Sequence, residues 1–581
     1  MLAEFSTLLP LIRKRRWTYL AGVLSLLLTS GAQLLIPQFV RRAVDALMEG
    51  GDRVAEVGGI LGFMIGIAVL VALGRLGWRY FIHGSSRRIE AELREKIYHH
   101  LLDLPASYFD ETKTGDLMAR ATNDLNAIRM AVGMALVAFI DGLFMSVAIL
   151  AILFSQNARL AFFTVIPLPL ITFGIVLVGR RVGTLFRQVQ EGFSRLTDQT
   201  QEVLSGIRVV KAFVKERYFL DRFAEANDVY QNRNLHLVRI WGLLFPTVTF
   251  LSGMTLLLLI IFGGRALIDG EITTGEFVAT LSYLQMLIWP VLGAGFTVNM
   301  LQRGAASMGR INEILNSPVT IDSPPGAHTG RNGANVTIRN LDFTYSAEGS
   351  PVIEEISFTV HEGEYLGVFG STGSGKTTIL QTLPRIIDPP EGTVYVGDVD
   401  VRHYDLHVLR SQFGFVPQAG FLFSASILDN IRFGRPDAPI DEISRIVERT
   451  ALDSDLAGFP DGWDTVVGER GVTLSGGQQQ RIAIARALLT DPPILVLDDA
   501  LSAVDARTEE RILRGVLDAR RGKTMIVVSN RVSTFETADQ VIVLQHGRIT
   551  HQGRHGDLIH QPGLYQEIYD LQRLERAEEN R

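Results

Sequence analysis

Gly370-Ser371-Thr372-Gly373-Ser374-Gly375-Lys376-Thr377 decides how the second half of this chain folds. Glycines separated by small residues let successive backbone N–H groups turn toward one point. A helix starting there adds the positive end of its dipole, which makes an anion site. Lys376 can reach the outer phosphates of a nucleotide, and Thr377 can ligate Mg²⁺. The flanks supply the required context: 365–369 reads as a short apolar strand and 378–383 as a helix. Thr378 belongs with the loop as a phosphate neighbour.

Downstream, Ile494-Leu495-Val496-Leu497-Asp498-Asp499 reads as a buried strand ending in acid. A carboxylate at that place, Asp498, can hold Mg²⁺ directly or through water. Between the two lies Leu474-Ser475-Gly476-Gly477-Gln478, opening an expected helix over 479–489. Small residues at a helix N-terminus form a second anion site. One terminal phosphate has no use for two such sites in the same domain. Ser475, Gly476, Gly477 and Gln478 are therefore expected to serve a nucleotide held by another subunit.

Upstream of the loop, β-like segments are expected over 336–345 and 356–360. They follow a polar, breaker-rich stretch with Ser323-Pro324-Pro325-Gly326 and Gly330-Arg331-Asn332-Gly333, read as a linker. The expected organisation is 1–315, linker 316–335, and 336–581 as an α/β phosphate-loop domain of alternating strands and helices.

The first part has a different solvent. Of 581 residues, 47% are hydrophobic, and mean hydropathy is +0.20. Apolar stretches recur at 17–40, 57–81, 134–154, 160–182, 240–267 and 276–300. A helical span needs about 20 mostly apolar residues, so six transmembrane helices are expected. Arg13-Lys14-Arg15-Arg16 precedes the first and places the N-terminus in the cytoplasm. Short loops at 49–56, 155–159 and 269–274 then lie outside, and the basic connections 84–133 and 183–239 lie inside. Those connections keep helical periodicity and read as long cytoplasmic extensions, with tips at 107–116 and 212–220. Arg75, Arg79 and Asp141 fall within spans, where an ionisable group needs a partner or a cavity. Pro246 and Pro290 are expected to kink or open the last two spans. A net charge of −6 gives no reason to expect nucleic acid. The chain has no cysteine, which excludes disulfides and thiolate metal sites.

With these motifs in place, the chain resembles the ATP-binding cassette exporters, in particular bacterial half-transporters of the multidrug and lipid-flippase type. The resemblance implies ATP and Mg²⁺ as ligands, six spans and a cytoplasmic ATPase domain in the bacterial cytoplasmic membrane. It implies that Tyr345 stacks on adenine and that Gln418, in Val416-Pro417-Gln418, senses Mg²⁺ and the attacking water. Gly468-Glu469-Arg470-Gly471 resembles the segment that contacts the coupling helices at the two tips. Ser502-Ala503-Val504-Asp505 resembles the loop that communicates across the dimer.

Two positions depart from the family pattern. The general base is a Glu directly after the strand aspartate, and here it is Asp499. The switch position before Arg531 is a His, and here it is Asn530. Aspartate is shorter by one methylene, and a base must come within about 2.6–3.2 Å of its water. Asparagine can donate to a phosphate but cannot carry a proton. The expectation is a degenerate site that binds ATP and turns it over slowly. An intact Leu474–Gln478 would be donated to a homologous partner bearing Glu and His, in a heterodimer. Expected substrates are amphipathic drugs, lipids or hydrophobic peptides. The alternatives are a homodimer with slow Asp499-dependent hydrolysis, or an ATP-gated channel or regulatory subunit.

Overall fold

The computed structural model describes residues 3–49, 54–345, 349–468 and 474–579, with the side chains of some helical residues in these ranges also outside the description. Half of the expected outer loop 49–56 (residues 50–53) lies beyond them, as does all but Gly468 of Gly468–Gly471. The chain divides into two compact units: Met1–Leu102 with Lys113–Ser317, and Asp103–Thr112 with Pro318–Arg581.

The first unit is helical throughout. Five helices among the described residues are long and apolar enough to cross a membrane: Arg16–Met48, Ala55–Asp103, Thr114–Gln156, Glu216–Ile268 and Thr274–Leu315. The expected fourth span, 160–182, falls on helices Ala158–Val165 and Pro167–Ser205, part of whose side chains are not described. Local chemistry sets the helix starts. Asn157 caps one by accepting from Leu160 N at 2.9 Å. Thr273 and Glu276 form a reciprocal capping box at the head of the last long helix. Asp45 reinforces that box, accepting from Gly275 N at 2.8 Å and Thr273 Oγ1 at 3.0 Å. A Cβ at Gly275 would lie 2.3 Å from Arg41 O, so the close approach requires glycine.

Packing inside the unit uses aromatic anchors. Tyr283 is fully buried and donates to Leu34 O at 2.7 Å. Phe163 stacks on Phe262 with centroids 4.3 Å apart. Asp141 accepts from the buried Ser30 hydroxyl, so this intramembrane carboxylate has a partner on the first long helix. The helix Glu216–Gly242 ends just before Pro246, and Leu244–Leu258 begins there, which puts the proline in a first turn. Pro290 sits inside Thr274–Leu315, which runs on through it. Among the described residues, four wide π-type turns, at Arg79–His83, Arg120–Asp124, Ala131–Ala135 and Leu259–Gly263, interrupt the long helices. Hydrophobic periodicity gave no sign of them.

The segment after the first tip is tied to the end of the last long helix. Asp124 is buried and accepts from Arg310 Nε at 2.8 Å and Ser307 Oγ at 2.9 Å. Arg120 bridges Asp116 at 2.8 Å and Glu313 at 2.9 Å. Removing Asp124 would strand a guanidinium and a buried hydroxyl. Because the Arg310 side chain is 45% exposed, solvent screening limits the loss. Asp124→Ala is expected to cost about 1–2 kcal/mol, read as a lower midpoint in a thermal melt of the detergent-solubilised protein. Asp124→Asn should recover part of it. The tips differ in detail from expectation. The first is a short helix, Ala106–Glu111. At the second the short helix is Ile207–Ala212, ahead of 212–220, with the next helix starting at Glu216.

The second unit is α/β. Its strands are β1 (Val336–Phe343), β2 (Ile353–Val360), β3 (Tyr365–Gly370), β4 (Val394–Val396), β5 (Val399–Asp400), β6 (Phe413–Val416), β7 (Ile494–Asp498), β8 (Thr524–Val528), β9 (Gln540–Gln545) and β10 (Arg548–Gly553). One sheet has the order β2-β1-β4-β5, the other β10-β9-β3-β8-β7-β6. From β9 to β6 the larger sheet is parallel, with β10 antiparallel at its edge. Parallel strands are covered on both faces and read as unbroken apolar runs, as β3, β7 and β8 do. Their alternation still sorts the core: Leu495, Leu497, Met525 and Val527 face one hydrophobic cluster. Ile494, Val496, Ile526 and Val528 face the other.

Candidate nucleotide site

The glycine loop leaves the C-terminal end of β3, as ligand loops do in open parallel sheets. Gly373 and Gly375 have φ of +79° and +96°. A Cβ on Gly370 would lie 2.4 Å from Leu544 O. The turn therefore needs backbone without side chains, for conformation at two positions and for space at one. The helix Lys376–Thr382 starts directly after it. Lys376 Nζ curls back over the loop and donates to Gly370 O and Ser371 O, each at 2.8 Å.

Strand β7, two places from β3 in the sheet, places the two acids beside this lysine. Asp498 and Ser374 are each 2% exposed, and Asp498 Oδ1 and Ser374 Oγ have no hydrogen-bond partner. Thr377 stands beside Asp498, close enough to pull its carboxyl down. Two buried, under-satisfied oxygens and a hydroxyl are hard donors suited to Mg²⁺ and phosphate. Burial pushes the Asp498 carboxyl above the usual aspartate range, against the opposing pull of Thr377 and Lys376. Asp499 is raised by burial and then by its neighbour Asp498. Burial lowers Lys376, offset by Asp499 and Asp498.

Asp499 holds a left-handed backbone, φ +48°, which aspartate tolerates better than most residues. Its N–H donates to Val528 O at 3.1 Å, continuing the β7–β8 ladder. Its carboxylate accepts from Gln418 Nε2 at 3.3 Å. Gln418, Asp498, Asp499, Lys376 and Thr377 are thus brought together. Tyr345 is 59% exposed, and its hydroxyl lies 2.9 Å from Thr378 Oγ1, so its ring stands beside the loop helix.

The second anion motif lies elsewhere. Ser475 and Gln478 form a capping box at the head of Gly476–Leu489. Gln478 Nε2 also donates to Asp455 Oδ1 at 2.8 Å. Gly476 and Gly477 pack on Ala503, where a Cβ on Gly477 would meet Ala503 O at 2.9 Å. Among the described residues, no hydrogen bond joins this segment to the loop Gly370–Thr377.

Two residues that sequence reasoning passed over connect the parts. Gln480 Nε2 reaches Gln418 O at 3.3 Å and Ser502 Oγ at 3.3 Å, while its Oε1 accepts from Ala503 N at 3.0 Å. The buried Glu509 pairs with Arg531 and accepts from Thr534 Oγ1 at 2.9 Å. A polar residue within an otherwise buried helical face was the available signal for both. Asn530 follows β8 with its side chain exposed, and its carbonyl accepts from Gln572 Nε2 at 2.9 Å.

This geometry defines a phosphate-loop nucleotide domain following a helical membrane unit. The comparisons identify the family. Residues 19–291 match the ABC transporter transmembrane region and residues 353–502 match the ABC transporter domain. A multidrug resistance-like ATP-binding protein, MdlA of Escherichia coli, is 37% identical across 97% of this chain and 96% of its own length. A probable multidrug resistance ABC transporter of Bacillus subtilis, YheI, is 36% identical over the same shares. A lipid A-core flippase of Syntrophus aciditrophicus is 32% identical across 98% and 94%. The solved structure of a bacterial Atm1-family ABC exporter with ATP bound superposes with a TM-score of 0.75 at 27% identity, covering 97% of this chain and 98% of that one. The chain belongs to the ATP-binding cassette exporters, ATP-driven membrane transporters related to the multidrug and lipid-flippase exporters.

Proposed function

We propose that this chain is the degenerate-site subunit of a heterodimeric exporter in the bacterial cytoplasmic membrane. It crosses the bilayer six times, with its N-terminus and nucleotide domain in the cytoplasm. Its cargo is an amphipathic drug, a lipid or a hydrophobic peptide; its likeness to multidrug resistance proteins and a lipid A-core flippase supports the first two.

Its own residues divide the work. The backbone of Gly370–Gly375, with Ser371, Thr372 and Ser374 between the glycines, cradles the phosphates. Lys376 leaves its two carbonyl acceptors for the outer phosphates, Thr378 supports the loop helix and Tyr345 stacks on the base. Thr377, Asp498 and Gln418 hold Mg²⁺, which supplies charge neutralisation at the terminal phosphates. Asp499 and Asn530 occupy the base and switch positions. Ser475, Gly476, Gly477 and Gln478 face the partner's nucleotide.

One observation carries the reading. The Asp499 carboxylate is engaged by Gln418 at 3.3 Å, on a backbone fixed by the β7–β8 ladder, one methylene short of a glutamate's reach. A positional error of about 1 Å can cost about 100-fold in rate. The capped Leu474–Gln478 segment supports the other half, since its polar groups are satisfied locally and its helix start is free to meet another subunit.

Co-purification tests the assembly. The tagged chain, expressed from its native host, should bring down one homologous half-transporter with Glu and His at the two positions. Recovery of a self-associated chain with brisk ATP turnover would refute the heterodimer.

A further inference from the structure

The last helix, Leu564–Glu579, makes contacts that the nucleotide site as described does not use. Gln572 Nε2 donates to Asn530 O at 2.9 Å, and Gln572 Oε1 accepts from Val532 N at 2.9 Å. One primary amide therefore closes on two backbone groups flanking Arg531. Only an uncharged amide, with a donor and an acceptor on one planar head, satisfies both.

The same turn is held by a second set of bonds. Arg531 N donates to Ser529 Oγ at 3.0 Å, and Thr534 Oγ1 lies 3.0 Å from that oxygen. Arg531 pairs with the buried Glu509 and donates to Val504 O at 3.3 Å. Arg531 thus ties the turn to the segment Ser502–Asp505.

The helix carrying Gln572 is itself anchored at the phosphate loop. Tyr565 is 2% exposed and packs edge-on against Phe369 at 5.1 Å, and Phe369 directly precedes Gly370. Tyr565 and Gln572 are two helical turns apart and so share a face. One face of one helix grips the base of the phosphate loop and the backbone of the switch position together.

We infer that Gln572 is a positioning residue that fixes where Asn530 presents its side chain to the terminal phosphate of ATP. It acts through the carbonyl of residue 530 and the N–H of residue 532, so its effect on ATP is exerted through the side chain that stands at 530. The inference rests on the proposed role of Asn530 at that phosphate. It predicts selectivity for ATP over ADP, because only ATP carries the phosphate that Asn530 would meet.

The test compares ATP and ADP affinities of the full-length protein, by competition against a fluorescent nucleotide. Wild type is measured beside Gln572→Ala, Gln572→Glu, Asn530→Ala and the Asn530→Ala/Gln572→Ala double variant. Gln572→Glu keeps helix propensity and the acceptor for Val532 but sets a carboxylate against the Asn530 carbonyl. Both Gln572 variants should weaken ATP on the order of 3- to 10-fold, the reach of one or two hydrogen bonds, with ADP changed less than about 2-fold. The double variant should be no worse than Asn530→Ala alone, since both act at one contact. Equal losses for ATP and ADP would reduce Gln572 to a structural part and overturn the inference, as would additive losses. If Asn530→Ala shifts the ATP/ADP ratio and the Gln572 variants do not, the inference alone falls. If Asn530→Ala leaves the ratio unchanged, the reading of the switch position falls and the inference with it.

Discussion

Asp499→Glu combined with Asn530→His is expected to raise ATP turnover at this chain's own site on the order of 100-fold. The backbone at 499 is set by the ladder bond to Val528 O and by the Ser502 hydroxyl, which donates to Asp499 O at 2.8 Å. A glutamate there extends from the same Cα by one more methylene, toward the water that Gln418 would help orient. Histidine at 530 supplies a protonatable donor where asparagine offers only an amide. A counter-effect comes from the φ of +48° at Asp499. Aspartate tolerates the left-handed region better than glutamate, so the double variant should melt slightly lower while turning over faster. Steady-state phosphate release in lipid nanodiscs reads the outcome. Wild type already matching the double variant would show that Asp499 suffices as base, and the degenerate-site reading would be lost.

Asp498→Asn is the second large effect. The carboxylate is buried, one of its oxygens has no partner, and Thr377 stands beside it. Replacing it removes the charge that justifies that burial once Mg²⁺ is present. The Mg²⁺-dependent part of ATP affinity should fall by at least about 10-fold, the worth of one lost charge-assisted contact. Affinity measured in chelator should stay unchanged. Equal loss with and without Mg²⁺ would mean a scaffold defect instead.

A pH dependence follows from the same group. Burial holds the Asp498 carboxyl above its unfolded value. Its ionisation therefore costs stability at pH above the folded pKa, and that cost disappears as pH falls below the unfolded pKa. Protons compete with Mg²⁺ over the same range. Without Mg²⁺ the nucleotide domain should gain stability as pH falls through the Asp498 transition. Mg²⁺-dependent ATP binding should weaken over that window, and Asp498→Asn should flatten both trends. A wild-type profile parallel to the variant's would assign the effect to other groups.

Much of the fold was legible because the solvents of the two halves differ. Long apolar helical runs announce a membrane unit, and short buried strands ending in glycine or aspartate announce a parallel sheet. The loop Gly370–Thr377 was readable since each residue type has a local backbone reason. Less visible were features set by distant partners. The π-type turns, the position of the second tip's helix at Ile207–Ala212 and the Asp124–Arg310 tie leave no periodic trace. Gln480 and Glu509 stand out in the sequence only as polar residues on otherwise buried helical faces, and their partners Gln418, Ala503 and Arg531 are supplied by the fold.

The sequence by itself determined the family, the nucleotide loop, and the two substitutions, Asp499 and Asn530, on which the proposed function rests. Those follow from residue identity at spacings of a few positions, where backbone geometry is local. Tertiary structure decided which polar groups are satisfied and which are left over. It placed Asp498 Oδ1 without a partner beside Thr377, bonded Gln418 to Asp499, and brought Gln572 onto the backbone of residues 530 and 532. Hydrogen-bond satisfaction across such separations depends on how the strands and helices pack, and no local pattern encodes it.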